Sequence, residues 1–285
     1  MKKRKKKNSL DIRKLLIAII AIVVIIVVVT LGIKNIFKQD TAKVNENANI
    51  EQVTNNEENS EQVASQDVVQ ETYKEDSSSS AKQKSIKEEK LSNGATLSED
   101  GLPVLMYHFF YDKSKGEKGK DGNWIEISAF EEQMKYLSEN DFYYPTWQEV
   151  EDYIDGKTEL PEKSVVVTID DGDPSFFENA IPVIQKYDVF ATSFVIVNWY
   201  GDRAANKENN ISYQSHSYDM HKAGSNGKGV MLSWNYDQIK EDVVLSSEVL
   251  GGANIFCYPY GQYNDLDIQV LKDTDYKLAF TTEAR

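Results

Sequence analysis

The chain has 285 residues, 40% of them hydrophobic, and a formal net charge of −14. This length allows one sizeable domain with additional segments, and the acidic balance argues against nucleic acid as a partner. The single cysteine, Cys257, excludes an intramolecular disulfide, so an ordinary hydrophobic core must stabilise the fold.

The first part of the sequence predicts a membrane anchor. Residues 1–14 form a basic tail, and an apolar run follows from Leu15 to Ile33. About 20 apolar residues cross the hydrocarbon core of a bilayer, and basic flanks remain in the cytoplasm. We therefore expect a single-pass signal anchor over 15–37, with the N-terminus in the cytoplasm and the remainder of the chain outside. A cleaved signal peptide is the alternative, but no small-residue cleavage site follows the run.

Residues 38–98 have the composition of a disordered acidic linker. They are rich in Glu, Gln, Asn and Ser, and they contain no proline, tryptophan or phenylalanine. So little apolar surface cannot offset the entropy lost on ordering. We expect this linker to tether a folded domain at 99–285 to the membrane.

Strand and helix patterns alternate in the C-terminal part of the chain. The predicted strands are Leu102–His108, Ser164–Ile169, Ala191–Val197, Ile211–Ser215, Asn254–Tyr258 and Tyr276–Thr282. The predicted helices are Ser128–Asn140, Pro174–Tyr187, Tyr236–Leu250 and Leu266–Asp273. This alternation is typical of an α/β fold with a parallel sheet, either open or closed into a βα barrel. The chain ends at Arg285 directly after a predicted strand, so we expect a further segment there and a truncated domain.

Polar residues follow the predicted strands. Asp170 and Asp171 come directly after one strand, His216 follows another with His221 five residues later, and His108 closes the first. The carboxyl ends of parallel strands meet at one edge of the sheet. Two imidazoles and a carboxylate form a three-ligand metal set, and a second carboxylate can act as general base, so the pattern suggests metal-assisted hydrolysis.

Each of these features also has a simpler interpretation. Asp-Asp-Gly after a strand is typical of a turn, and a single histidine at a strand end is more often structural than catalytic. Histidines five residues apart meet on neither a helix nor a strand, so only a loop at a strand end could bring them together.

Three motifs, in order, resemble those of the polysaccharide deacetylases, which are carbohydrate esterase family 4 or NodB-homology enzymes. Thr168–Gly172 resembles the TFDDG motif, Ser215–His221 is similar to the second motif, and Phe256–Gly261 is similar to the third, which ends in Pro-Tyr-Gly. The resemblance covers Leu102 to the C-terminus. It implies a deformed (β/α) barrel of about seven strands and hydrolysis of N-acetyl groups on a GlcNAc-containing polysaccharide.

The resemblance also implies roles for individual residues. Carried over by position, these are the base Asp170, the metal ligands Asp171, His216 and His221, and the third-motif residues Pro259 and Tyr260, whose Tyr260 N–H would help to hold the oxyanion. The implied metal is a divalent cation, with zinc favoured and iron, cobalt or nickel as alternatives.

The chain departs from the common family pattern at three points. Its histidines are five residues apart rather than four, which is similar to the branch that acts on poly-N-acetylglucosamine. Cys257 stands where an arginine often supports the base. No Leu-x-His motif follows His221, and the same branch has a permuted motif order in which an N-terminal strand supplies the acid. Leu105–His108 fits that order, which makes His108 the second catalytic residue.

We therefore expect a metal-dependent N-deacetylase of a cell-surface polysaccharide, either peptidoglycan or poly-N-acetylglucosamine. An inactive carbohydrate-binding or scaffold protein on the same fold is the main alternative, and an O-acetyl esterase is another. The expected partners are the polysaccharide and, through the N-terminal helix, the cell membrane. The catalytic domain is expected to be monomeric.

The anchor predicts a defined topology. Protease added to intact cells should remove the part of the chain beyond Lys38 and leave a membrane-bound stub, because the basic flank lies before Leu15 and the linker is polar. Immunoblotting with an antibody against the C-terminal domain checks this. Protection of the domain until the cells are lysed would contradict the topology.

Overall fold

The main sheet of the computed structural model contains six parallel strands. The structure describes residues 77–97, 101–205, 208–224 and 227–283. The strands are β1 (Val104–Tyr107), β4 (Val166–Ile169), β5 (Ala191–Val195), β6 (Ile211–Ser215), β7 (Ile255–Cys257) and β8 (Leu278–Phe280), adjacent in that order. Two further strands, β2 (Phe109–Tyr111) and β3 (Trp124–Glu126), form a separate parallel pair.

Helices connect the strands. They are α1 (Ser77–Ser92), α2 (Ile127–Glu139), α3 (Trp147–Ile154), α4 (Ile181–Lys186), α5 (Val197–Ala204), α6 (Tyr236–Val249) and α7 (Asp265–Asp273). A π-helical turn at Phe176–Ala180 leads into α4. Capping boxes start α3, α6 and α7, because in each a polar side chain before the helix and one in its first turn exchange hydrogen bonds with backbone amides.

The predicted α/β class and the predicted alternation are confirmed, with one difference in the barrel. The resemblance implied about seven barrel strands, whereas the described part has six in the main sheet, and its edge strands β1 and β8 do not pair with each other. The sheet is therefore an open half-barrel. The short helices α3 and α5, of eight residues each, were not predicted from the sequence.

The two faces of β4 bury different cores. Val165, Val167 and Ile169 pack with the outer helices, where α2 contributes the buried residues Phe130, Met134 and Leu137. Val166 belongs to an inner cluster with Phe194 and with Trp147 of α3. Side chains alternate between the faces of a strand, so the residue after Ile169 must point into the half-barrel.

Strand β1 is less buried than the sequence suggests. The apolar run at 102–108 predicts a buried strand, yet Val104 is 41% and Met106 is 51% exposed. Only the alternate residues Leu105 and Tyr107 pack against the main core. The reason is that β1 lies at the edge of the sheet, where its inner face borders the open side of the half-barrel.

A helix forms within the stretch that the composition assigns to the linker. In α1, Ile86 is buried against Tyr143 and Leu160, and Lys87 forms an ion pair with Glu149. A backbone hydrogen bond then joins the Leu97 amide to the Leu160 carbonyl, and Lys90 donates to the carbonyls of residues 141 and 162. Residues 77–97 are therefore part of the folded domain, because Ile86 and the two lysines dock them onto it. The rest of the predicted linker lies outside the described residues.

The membrane prediction falls on residues that the structure does not describe. No helix within 77–97, 101–205, 208–224 or 227–283 is both long and apolar enough to span a bilayer. The predicted anchor at 15–37 lies outside these ranges.

The docking of α1 should contribute to stability. Replacing Ile86 with alanine should lower the free energy of unfolding by about 2 kcal/mol, because a buried isoleucine loses its contacts and leaves a cavity. Urea denaturation of the purified protein measures this change. The control is Ile154→Ala, since Ile154 is 64% exposed. Equal effects of the two substitutions would mean that α1 does not stabilise the domain.

Candidate active site

The parallel register aligns the strand ends that carry the predicted site. Tyr107 of β1 is opposite Ile169 of β4, so His108 and Asp170 leave the sheet side by side. Ser215 of β6 is likewise opposite Phe256 of β7, which places His216 beside Cys257. The sheet therefore delivers these side chains to one edge, as parallel α/β folds generally do.

Asp170 points into the half-barrel and is almost fully buried. Burial, together with the negative charge of neighbouring Asp171, raises the pKa of Asp170 to about 7. The Cys257 thiol donates a hydrogen bond to Asp170 Oδ2 over 3.5 Å. Cys257 thus lies beside the predicted base, at the position where the resemblance led us to expect an arginine, and it brings no positive charge. A carboxyl group with a pKa near 7 can accept a proton at neutral pH.

Asp171 reaches the same mouth because the backbone turns at this residue. Two consecutive residues on a regular strand would point to opposite faces. Asp171 has a φ of 72° and Gly172 a φ of 70°, both in the left-handed region. A Cβ atom on Gly172 would also lie 3.2 Å from a Val195 methyl group. The glycine of the motif therefore allows both carboxylates to face the cleft.

The His216 ring is held in one orientation. Its Nδ1 donates to the Cys257 carbonyl over 2.8 Å, which leaves the Nε2 lone pair directed at Asp171. Burial lowers the pKa of His216 to about 3, so the imidazole is neutral at physiological pH. A neutral ring with its second nitrogen hydrogen-bonded to a carbonyl is the usual arrangement of a metal-binding histidine.

His221 joins His216 through a tight loop at 217–221, which we call the histidine loop. Ser217 has a φ of 71°, and its hydroxyl accepts a hydrogen bond from the Met220 amide. The loop brings the ring centroids of His216 and His221 to 5.0 Å, so the five-residue spacing is closed by a turn, as expected. Burial lowers the pKa of His221 as well.

The three predicted ligands form one cluster. Asp171 Oδ1 lies 3.5 Å from His216 Nε2 and 3.4 Å from His221 Nε2, and the three donor atoms are within 4.8 Å of one another. Ligands bound at about 2.0–2.2 Å to a tetrahedral zinc lie about 3.4 Å apart. Asp171 Oδ1 is buried and has no hydrogen-bond partner among the described residues. The donor set and this oxygen therefore fit a divalent cation.

His108 lies on the other side of the carboxylate pair. Its Nε2 is 3.9 Å from Asp170 Oδ2, and its side chain is 19% exposed. Burial lowers the pKa of His108, and the Asp171 carboxylate opposes that effect. The structure thus brings the predicted acid beside the predicted base and keeps it outside the ligand set.

The third motif forms a sharp turn next to the ligands. Tyr260 has a φ of 60°, and its ring packs on His221 at a centroid distance of 4.3 Å. Pro259 is buried at the start of the turn. A Cβ atom on Gly261 would lie 2.3 Å from the Thr282 hydroxyl, so only glycine fits there. The motif therefore fixes Tyr260 at the rim of the site.

A cleft of about 1690 Å³ contains all of the predicted catalytic and ligand residues. It runs along the inner face of the half-barrel, from Glu162 near the start of β4 to Tyr260 at the mouth. Pockets for single small molecules are about 300–1,000 Å³, so this cleft has room for several units of a polymer.

Two residues near the ligands were not found from the sequence. Asp242 of α6 is buried and accepts hydrogen bonds from two amides of the histidine loop. A charged residue between the apolar positions Ile239 and Val243 was the available signal. Trp199 is 49% exposed beside His221, and nothing in the sequence distinguishes it from a core tryptophan.

The comparison with protein families agrees with this geometry. Residues 157–279 match the family described as polysaccharide deacetylase. The matched range includes the ligand cluster and the third motif. The part of the chain that carries the candidate site is therefore similar to polysaccharide deacetylases.

The chain is also similar in sequence to individual proteins of known name. The chain is 28% identical over 196 residues to the poly-β-1,6-N-acetyl-D-glucosamine N-deacetylase of Staphylococcus aureus (strain MRSA252). That match covers 62% of this chain and 66% of the relative, so it spans slightly less than two thirds of the staphylococcal protein. Among solved structures, IcaB from Ammonifex degensii is 29% identical, with a TM-score of 0.55, and the match covers 66% of this chain and 87% of IcaB.

A more distant structure shares the fold. Streptococcus pyogenes deacetylase PplD, solved in complex with acetate, is 23% identical with a TM-score of 0.52. That match covers 64% of this chain and 83% of PplD.

The ligand cluster predicts a clear division between substitutions. Asp171→Ala, His216→Ala and His221→Ala should each lose bound metal and most activity, because each removes one of three donors. Asp170→Asn should keep the metal and lower the rate by about 10²–10⁴, because it removes only the base. Elemental analysis of the purified variants, paired with an acetate-release assay, separates the two outcomes. Loss of metal in Asp170→Asn would assign that carboxylate to the ligand set.

Proposed function

We propose that the chain is a metal-dependent hydrolase that removes N-acetyl groups from a poly-N-acetylglucosamine polysaccharide at the cell surface. The observation that carries the proposal is the cluster of Asp171, His216 and His221 beside Asp170 and His108. The candidate metal ligands and the candidate proton-transfer residues face the same cleft. Metal-assisted hydrolysis of an amide needs a bound metal and residues that transfer protons.

The metal would be held by Asp171, His216 and His221, with zinc favoured over iron, cobalt or nickel. When bound, it supplies Lewis acidity that polarises the acetamide carbonyl and lowers the pKa of water. Asp170 accepts the proton of the attacking water, because its buried carboxylate lies directly beside the ligand cluster. The Tyr260 N–H donates to the oxygen that gains negative charge as water attacks.

His108 completes the reaction as the acid. Hydrolysis breaks the bond between the acetyl carbon and the nitrogen, and the nitrogen needs a proton because an amine anion is too basic to leave. The other two histidines of the chain are in the ligand set, so His108 is the histidine that remains for this task. The products are acetate and a free amine on the sugar.

The choice of substrate is supported by two observations. The Staphylococcus aureus relative is named for poly-β-1,6-N-acetyl-D-glucosamine. The five-residue histidine spacing and the N-terminal position of His108 follow the same branch. Peptidoglycan remains the second candidate, because a membrane anchor at 15–37 would place the domain within reach of the cell wall.

An inactive carbohydrate-binding protein is the alternative from another class. The substitution of the motif arginine by Cys257 favours it, because no cation of the described chain contacts Asp170 in that position. The presence of both catalytic residues and all three ligands in contact geometry argues for an enzyme instead.

The proposal is tested by acetate release from defined substrates. The purified full-length chain, loaded with Zn²⁺ or Co²⁺, should release acetate from β-1,6-linked N-acetylglucosamine oligomers faster than from chitooligosaccharides or peptidoglycan fragments. Metal removal by a chelator should abolish the release, and re-addition should restore it. A metal-loaded chain that releases no acetate from any of these would support the inactive scaffold. Release from acetylated xylan alone would support an esterase.

The acid role of His108 gives a separate prediction. His108→Ala should lower kcat by about 10²–10⁴ and leave the metal content and the melting temperature unchanged, because His108 lies outside the ligand set. His108→Gln serves as a control that keeps a polar side chain without a transferable proton, and it should be equally slow. An unchanged kcat in either variant would make His108 a structural residue.

A further inference from the structure

We propose that Asp242 is a positioning residue that holds the histidine loop in the shape required for metal binding. Asp242 lies on α6 and does not belong to the ligand set. It acts on the metal site through the backbone of residues 218 and 219, which lie between the two histidine ligands. The inference rests on the proposed metal site and adds a residue outside the three family motifs.

Both carboxylate oxygens of Asp242 are committed to this loop. Oδ1 accepts a hydrogen bond from the Tyr218 amide over 2.7 Å, and Oδ2 accepts one from the Asp219 amide over 2.8 Å. Two consecutive amides pointing at one carboxylate fix the direction of the peptide plane between them. Hydrogen bonds to an ionised acceptor are shorter and stronger than neutral ones. The carboxylate therefore defines the path of the chain from His216 to His221.

The carbonyl side of the same peptides is held by α5. The Val197 amide donates to the Ser217 carbonyl over 3.1 Å, and the Asn198 amide donates to the Tyr218 carbonyl over 2.9 Å. The first turn of a helix has amides without intrahelical partners, so α5 offers these donors at no cost to itself. The histidine loop is thus fixed from both sides, by acceptors on α6 and donors on α5.

Packing of α6 alone does not explain why an aspartate is buried at position 242. The side chain is 6% exposed and stands in the apolar stripe of α6 with Ile239 and Val243, which are both fully buried. A carboxylate in such a place is costly unless its oxygens are satisfied. An apolar residue would pack α6 onto the sheet equally well, so the chemistry that requires an aspartate here is the reception of the two loop amides.

The test compares Asp242→Asn with the matched variant Asp267→Asn. Asp267 is also buried and also accepts a backbone amide, that of Asn264 over 2.8 Å, but it does so at the first turn of α7, outside the histidine loop. In Asp242→Asn the amide NH₂ cannot accept, so one loop amide loses its partner. Zn²⁺ affinity of the full-length chain is measured by competition with a chromogenic chelator, and Co²⁺ absorption reports the coordination geometry.

Asp242→Asn should weaken Zn²⁺ binding by about 10–100-fold, the usual effect of removing a residue that orients metal ligands, and should alter the Co²⁺ spectrum. Asp267→Asn should leave both metal readouts unchanged, because its carboxamide oxygen can still accept the Asn264 amide and lies outside the histidine loop. Equal Zn²⁺ affinity in wild type and Asp242→Asn would overturn the inference, and so would equal weakening in the two variants.

A measurement on the wild-type chain covers the case in which Asp242→Asn does not fold. Hydrogen exchange of the Tyr218 and Asp219 amides should be slow in the metal-free protein and change little when Zn²⁺ is added, because Asp242 orders the loop beforehand. Protection that develops only with Zn²⁺ would overturn the inference. A wild-type chain that binds Zn²⁺ but releases no acetate would refute the proposed function and leave the role of Asp242 intact.

Discussion

The parallel register of the main sheet is the constraint on which the site depends. It sets Tyr107 beside Ile169, and Ser215 beside Phe256, so that the residues that follow emerge at one edge. A shift of one residue in either pair would turn the polar side chains towards the outer helices, because successive side chains alternate between faces. The apolar residues of β4 and β7 prevent that shift, since each face of these two strands has its own buried cluster, and Ile211 and Tyr213 hold one face of β6 in the main core. The chemistry of the cleft is thus a consequence of core packing.

Two consecutive carboxylates on a regular strand would point to opposite faces of the sheet. Residues in the left-handed backbone conformation turn the chain so that both can face one cleft. Asp171, Ser217 and Tyr260 all have positive φ values, and all three lie directly after a strand or within the loop that follows it. Such a conformation costs of order 1–3 kcal/mol for a residue other than glycine. The contacts of Asp242 with the histidine loop help to hold Ser217 in this conformation. Three of the eight non-glycine residues with positive φ in the described part of the chain therefore lie where the predicted ligands and the predicted oxyanion donor are aimed.

The sequence predicts the parts of this molecule that depend on patterns within one segment. The buried strands, the amphipathic α2 and the polar residues at strand ends follow from periodicity and from the topology of parallel sheets. The half-burial of β1 could not be predicted, because it depends on which strand lies at the edge. Helix α1 was missed because its composition is that of a solvated segment, and its docking depends on Ile86 and on the pair of Lys87 with Glu149. The contact of Asp242 with the Tyr218 and Asp219 amides could not be predicted either. A charged residue in an apolar stripe indicates that it has a partner but does not say which one.

The position of α1 has a mechanical consequence. This helix packs against residues 141–144 and 160–162, which lie at the amino ends of the strands, whereas the ligands lie at the carboxyl ends. A force applied through the chain before Ser77 is therefore transmitted first to the contacts of Ile86, Lys87 and Lys90, on the side of the sheet remote from the histidine loop. Tension on the preceding segment would therefore load the contacts of α1 before it reached the strands that carry the cleft. The docked helix therefore lies between the chain that leads into the domain and the candidate site, and it bears such a force first.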